Sequence, residues 1–255
     1  MKDVQSQVDE RNIYLNKVGI NEFKKPITLK DKNSEVQHGI ATISASVDLK
    51  AEERGTHMSR FVEVLNDVHN INPTEIEPIL KTMKERLHAE TSYLEMTFDY
   101  FIEKTAPVSG KKSWLDVQCR YEASLDDEFH FNLTVITPVT TLCPCSKEIS
   151  EYGAHNQKAE VAITVSFHHM LWIEDIVKIA ENNASCQIFP LLKRVDEKYV
   201  TETAYENPKF VEDVCRDCAV ELEGIDEISY YKVKATSLES IHSHTAFAMA
   251  EKKRS

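Results

Sequence analysis

The sequence predicts an α+β protein built as two tandem modules, with antiparallel sheets that carry their helices packed on one face. Three observations point there. Segments that alternate apolar and polar residues recur between residues 37 and 250, segments of helical period interrupt them, and the order strands, helices, strands is met twice. Strand runs set apart from helix runs favour antiparallel pairing with helices on one side. The modules are expected to meet near Asp126 and Asp127, giving an N-terminal arm over 1–35, a first module over 36–126 and a second over 127–255.

Residues 1–35 are polar with one apolar patch from Ile13 to Ile20, and read as a mostly extended arm. Residues 37–49, QHGIATISASVDL, have the period of a half-buried strand and end at the charged turn of Lys50 to Arg54. Ser59 is placed to cap a helix with Phe61, Val62, Leu65 and Val68 on one face, which Asn70 to Pro73 break. Residues 74–89 read as a second helix through Ile76, Ile79, Leu80, Met83 and Leu87, starting near Asn72 or Thr74. Two strands follow at 92–104 and 113–125, separated by a turn with Pro107 and Gly110.

The second half opens with a strand over 128–142 and, after a cysteine and histidine segment, another over 158–167. Helical patterns lie at 172–182 and 208–223, the latter started by Pro208, with a shorter helical or irregular stretch between them. Alternating strands at 229–237 and 242–250 close the chain.

A chain of 255 residues buries a sizeable core, and 42% hydrophobic residues with a mean hydropathy of −0.39 suit a soluble globular protein. No apolar run approaches the ~20 residues of a membrane span. No signal peptide or lipidation motif is read, so the six cysteines point to a reducing cytoplasm, where thiols serve as ligands, nucleophiles or core residues. A formal charge of −12 argues against nucleic acid as a partner, while leaving room for a small anion in a local basic pocket.

The densest chemistry lies in TPVTTLCPCSKEISEYGAHNQK, residues 137–158. Thiolate sulfur and imidazole nitrogen suit zinc-like ions, and fewer than four protein ligands leave a position for water, so a hydrolytic metal centre is one reading. Pro144 fits a first helical position, which puts Cys143 at the cap and Cys145 in the first turn. The run Tyr152 to Asn156 is turn-like and able to fold His155 back towards the cysteines. The plain alternative is two cysteines that cap a strand.

Elsewhere, Thr56, His57, Ser59 and Arg60 form either a phosphate-holding helix start or a simple cap. Glu197, in a carboxylate-rich run, is a hard oxygen ligand or part of a solvated surface. Glu212 and Asp213 lie one turn into a helix, where a buried carboxylate is able to accept hydrogen bonds from a heterocyclic base. Cys215 and Cys218 read as core thiols by default, or as partners of Cys143 and Cys145 in a four-thiolate zinc. Glu239, His242 and His244 suit proton transfer, or lie exposed on a polar strand face.

Taken together, GTHMSRF, TTLCPCSKEISEYGAHNQK, DEKYVTETAYENPKFVED and SLESIHSHTAFA resemble the signature of the prokaryotic type IB GTP cyclohydrolase I family, over most of the chain. The resemblance implies the tunnelling fold, whose modules pair an antiparallel sheet with two helices and close into barrels. It implies the conversion of GTP and water to formate and 7,8-dihydroneopterin triphosphate, the entry to folate-type pterins and 7-deazaguanine nucleosides. It implies one divalent ion per active site, Zn, Mn or Fe, held by Cys143, His155 and Glu197, with Cys145 as a second, catalytic thiol. Glu212 would anchor guanine, and Glu239 with His242 would position substrate and move protons. C8 of guanine is a poor electrophile, so the reaction needs an activated water and a nearby acid. Three phosphates on an acidic protein need a local basic rim, for which Arg60, Lys147, Lys158, Lys193 and Arg194 are the candidates, with His57 as a further substrate-binding residue. The expected assembly is a homo-oligomer, a tetramer, in the cytoplasm, without nucleic acid or membrane.

Two other readings remain open on sequence. One is an NADPH-dependent nitrile reductase of the same superfamily, which would need no ion and would use a thiol nucleophile. The other is a zinc-binding assembly module without turnover.

Overall fold

The computed structural model describes residue 5, residues 7–33 and residues 35–254. The parts of the expected N-terminal arm at residues 1–4, 6 and 34 lie outside the described residues. By compactness the chain divides into two units, Met1–Asp99 with Arg120–Asn132, and Tyr100–Cys119 with Leu133–Ser255. No helix among the described residues is long and apolar enough to cross a membrane.

The first unit begins with β1 (Leu15–Lys30) and β2 (Val36–Leu49), paired antiparallel from Lys30 opposite Val36 to Leu15 opposite Leu49. Two helices follow, α1 (Met58–Asn66) and α2 (Pro73–Leu87), then β3 (Ser92–Thr105), which pairs with β2 from Val47 opposite Ser92 to Ala41 opposite Phe98. β4 (Lys112–Leu125) and β5 (Phe129–Leu142) complete the run, and both units share β3, β4 and β5. Alternation puts Ala41, Ile43, Ala45 and Val47 of β2 and Leu94, Met96 and Phe98 of β3 in the core. The helices bury Phe61, Leu65, Ile76, Leu80 and Met83.

The stretch read as an arm is extended, but as a 16-residue strand within the sheet. Two irregularities of register, between Leu15 and Val18 and between Ile20 and Phe23, interrupt its period of two. Lys25 also occupies an inward position, where a lysine hides the alternation. Its Nζ donates to the carbonyls of Leu65 (2.5 Å), Asn66 (3.3 Å) and Val68, at the C-terminal end of α1, and burial lowers its pKa. At Gly19 the two strands approach so closely that a Cβ would lie 2.0 Å from the Ala45 carbonyl oxygen.

Ser59 is not the cap of α1. The chain is extended at His57 (φ −85°, ψ 103°) and already helical at Met58, so Ser59 falls inside the first turn. α2 starts where expected, with Asn72 at the cap and Pro73 in the first position.

In the second unit, β5 leads through α3 (Pro144–Ile149) into β6 (Asn156–Phe167), the pair running antiparallel from Leu133 opposite Val165 to Leu142 opposite Asn156. Then come α4 (Ile173–Asn182), the short β7 (Cys186–Gln187), α5 (Arg194–Glu206), α6 (Val211–Glu223), β8 (Ile228–Ser237) and β9 (Ala246–Lys253). Hydrogen bonds link the strands in the order β1-β2-β3-β4-β5-β6-β8-β9, with β7 on β5. The strand, helix, strand order thus occurs twice in the chain. α6 packs on β8 and β9, and α4 on β6 and β7. Their buried Ile176, Val177, Val214, Cys218 and Leu222 form a core with Val161, Ile163 and Val233 of the strands.

α6 starts at Val211, not at Pro208. Lys209 N–H donates to the Leu142 carbonyl at 3.0 Å, which holds that stretch against the end of β5. Phe210 is the cap, and its N–H donates to Asp213 Oδ2 at 3.0 Å. α5 is a full 13-residue helix where the sequence suggested a shorter or irregular one. Its apolar face is narrow, with Val200 and Ala204 packed on Leu142, Ala154 and Cys186, so the helical period is faint.

The first turn of α5 is held by Asp196, which is fully buried. Its Oδ1 accepts from the backbone N–H groups of Val108 (2.9 Å) and Ser109 (2.8 Å). Its Oδ2 accepts from Ser109 Oγ (2.6 Å) and Lys193 N–H (2.8 Å). Burial alone would raise the carboxyl pKa, but the hydrogen bonds from Ser109, Lys193 and Val108 outweigh it and hold the group well below the usual carboxylate range. A depressed folded pKa gives stability that is present above the unfolded value, ~4, and is lost as pH falls through the folded one. Asp196→Asn is therefore expected to lower Tm by several degrees at neutral pH, with the gap to the parent constant down to about pH 5 and narrowing below about pH 4. Thermal unfolding of both proteins across that range checks it, and a gap that does not change with pH would contradict the assignment.

Candidate metal centre

The connection between β5 and β6 begins at Cys143 and ends at His155. Pro144 at the first helical position and an extended Cys143 (φ −69°, ψ 117°) start α3 as the sequence predicts. Cys143 Sγ accepts from Ser146 N–H at 3.4 Å. The chain returns through Gly153, whose φ of +129° is open to glycine and strained for other residues. Cys143 N–H then donates to the His155 carbonyl at 3.1 Å. Ser146 Oγ joins the two ends, donating to the Cys143 carbonyl (3.2 Å) and accepting from His155 N–H (3.2 Å). The turn from Tyr152 to Asn156 thus folds His155 back to Cys143 as expected. Cys145 is exposed in the first turn of α3.

His155 Nδ1 lies 2.8 Å from Gln157 Oε1, and Gln157 Nε2 donates to Thr141 Oγ1 at 3.0 Å. Gln157 and Thr141 are directly opposite each other on β6 and β5. Glu197 follows buried Asp196 in the first turn of α5 and is itself exposed. The donor set of a thiolate, an imidazole and a carboxylate fits a zinc-like ion. Cys143 and His155 adjoin through their backbones, and among the described residues no three His, Cys, Asp or Glu side chains gather into one group.

Glu212 stands in the first turn of α6 and is exposed, where the sequence reading had a carboxylate screened from water. His242 and His244 lie in the β8–β9 loop, since the strand starts only at Ala246. His242 Nε2 is 3.3 Å from Glu239 Oε2, and the two histidine rings stack at 5.1 Å. Lys147 Nζ donates to the Tyr205 carbonyl and sits 4.4 Å above the Tyr205 ring. Lys193 caps α5, Arg194 opens it, and Lys158 is exposed on β6 opposite Thr140. His57 and Arg60 belong to the first unit, where Arg60 Nη1 donates to the Arg86 carbonyl at 3.0 Å.

Cys215 and Cys218 are core thiols. Both are buried, with Sγ directed to the carbonyls of Val233 (3.7 Å) and Ile179 (3.8 Å). Burial raises both pKa values, that of Cys218 to about 12, so the thiolates a four-cysteine zinc would need are disfavoured. The residues that sequence reading missed are Ser146, Gln157, Thr141 and Asp196. Gln157 is two residues beyond His155 in an extended segment, a spacing that shares a face, and that was the available signal.

A family model described as type I GTP cyclohydrolase folE2 matches residues 1–248. A protein named GTP cyclohydrolase FolE2 from Fervidobacterium nodosum is 53% identical over 250 residues, covering 97% of this chain and 96% of its own. One of the same name from Thermotoga maritima is 54% identical over 252 residues, covering 99% and 97%. Among solved structures, urate oxidase from Bacillus sp. TB-90 aligns with a TM-score of 0.57 at 8% identity, covering 95% of this chain and 100% of that one. Uricase from Arthrobacter globiformis aligns at 0.54 and 8%, covering 94% of each. At such identities the likeness concerns the fold alone, and it is the tunnelling fold. With more than half of the residues shared along nearly the whole length of a relative, the chain belongs to the type I GTP cyclohydrolase folE2 family.

Proposed function

We propose that the chain is a metal-dependent GTP cyclohydrolase of the prokaryotic type IB, which turns GTP and water into formate and 7,8-dihydroneopterin triphosphate. The observation that carries the reading is the Cys143, Ser146 and His155 clamp, which sets a thiol and an imidazole at one end of the β5–β6 pair. Cys143, His155 and Glu197 are the ligands, for one Zn, Mn or Fe per site. When bound, the ion supplies Lewis acidity for the attack of water on C8.

The remaining work falls to the protein. Glu212 accepts hydrogen bonds from the guanine N–H groups. The Glu239 carboxylate orients the His242 ring at 3.3 Å, so His242 can hand a proton to the imidazole nitrogens as the ring opens. Cys145 contacts the reacting carbon from the first turn of α3. His57, Arg60, Lys147, Lys158, Lys193 and Arg194 supply the basic rim for three phosphates, and Lys147 must leave the Tyr205 carbonyl to take part. Six cysteines without a disulfide among the described residues accord with a cytoplasmic enzyme.

Apoprotein reloaded with Zn, Mn or Fe is expected to release formate from GTP, read by a coupled formate assay; no formate with any of the three would overturn the activity.

The two neighbouring thiols are expected to separate. Cys143→Ser should lose bound metal and activity together, because a neutral hydroxyl is a far poorer ligand. Cys145→Ser should keep metal and GTP binding and lose turnover. Metal analysis, GTP affinity and formate release on both variants decide it, and equal metal loss would make both plain ligands.

The strand path ends on β1 and β9, whose outer edges a second copy can pair, and we take the enzyme to be a homotetramer. Light scattering at assay concentration should give four chains, whereas a fully active monomer would contradict it.

A further inference from the structure

His155 is fixed at its backbone from both sides, its N–H on Ser146 Oγ (3.2 Å) and its carbonyl on Cys143 N–H (3.1 Å). Those bonds leave the ring free to rotate and free to carry its proton on either nitrogen. A metal ligand cannot have that freedom, because the coordinating nitrogen must be unprotonated and aimed. The structure provides one partner that removes it. Gln157 Oε1 stands 2.8 Å from Nδ1, and an amide oxygen can only accept, so Nδ1 bears the hydrogen and the lone pair is left on Nε2.

The opposite amide orientation would aim Nε2 of Gln157 at the ring, place the hydrogen on the imidazole Nε2 and abolish coordination there. Thr141 anchors the far end of the amide. It is buried, it lies directly across from Gln157 in the β5–β6 pair, and its Oγ1 accepts from Gln157 Nε2 at 3.0 Å. The relay uses side chains of two rigid strands, so its geometry does not depend on the mobility of a loop.

We propose that Gln157, held by Thr141, is the positioning residue that makes His155 a metal ligand through Nε2. This rests on the reading of Cys143, His155 and Glu197 as the ligand set. Removing such a partner of a ligating histidine weakens metal binding by about 10–100-fold.

The test uses the full-length protein, stripped with a chelator and titrated with zinc against a chromophoric competitor. Gln157→Leu, which has no acceptor, is expected to raise the zinc Kd by about 10–100-fold, and Gln157→Glu, which keeps one, to stay within a few-fold of the parent. Thr141→Val should fall between them. The melting temperature of each metal-free variant separates ligation from folding, and Gln157→Met replaces Leu if the latter is destabilised. Nitrogen-15 spectra of the His155 ring in the metal-free protein should show hydrogen on Nδ1 in the parent and in Gln157→Glu, and a mixture of tautomers in Gln157→Leu. An unchanged Kd in Gln157→Leu, a Gln157→Glu variant as weak as Gln157→Leu, or hydrogen on Nε2 in the parent would each overturn the proposal while zinc still bound the parent. Failure of the parent to bind one zinc per chain would instead overturn the ligand reading, and the proposal with it.

Discussion

The second unit depends on one buried carboxylate. Asp196 takes four hydrogen bonds, three from the Val108 and Ser109 turn between β3 and β4 and one from the backbone at the start of α5. A helix as polar as α5 has little apolar surface with which to fix itself, and its packed side chains amount to Val200 and Ala204. Direction and register of the helix are therefore set at its first turn, by an ionised group that has no water to fall back on. Glu197 is the next residue, so the position of the candidate third ligand is inherited from Asp196. Buried Lys104 stiffens the same region, bound by Glu181 at 2.6 and 2.8 Å and by Gln187 at 2.6 Å. Burial pushes the Glu181 carboxyl up and Lys104 pulls it back, so the pair acts as a fixed polar joint between β3, α4 and β7.

How far the fold could be read depended on where burial is one-sided. β2, β3, β4, β6 and β8 each carry apolar residues at every second position, and their limits fall within a few residues of expectation. β1 escaped because two register irregularities and an inward Lys25 break the same pattern. α5 was underread because the sequence shows charges at its surface without showing that Asp196 is the one turned inward. Cap positions failed for a related reason. Ser59 and Pro208 are good starters in isolation, yet tertiary hydrogen bonds, such as Lys209 N–H to Leu142, decide where the chain turns helical.

The candidate site was legible where residue type alone names the chemistry, and hidden where position does. Thiols, an imidazole and carboxylates stand out in any sequence. A glutamine, a serine and a threonine do not, although Ser146 closes the Cys143 to His155 turn and Gln157 with Thr141 bears on the histidine ring. Cys215 and Cys218 show the converse: conspicuous by type, they are buried by place, and burial raises both thiol pKa values, that of Cys218 to about 12, which disfavours the thiolate that ligation or attack needs.

Exposure also bears on the proposed roles. Glu197, Glu212 and His242 are all exposed, and a carboxylate hydrogen-bonded to a base in open water gains little over water itself. On the proposed roles, selection of guanine by Glu212 would need a surrounding that excludes solvent, as would proton transfer from His242 without leakage to bulk. In the proposed homo-oligomer the outer edges of β1 and β9 would supply a route to that surrounding, because backbone groups unpaired at a sheet edge can be satisfied by the edge of another copy. Closure of the sheet and drying of the site would then be one event, and the exposed carboxylates would be the part of the site that only the assembly completes.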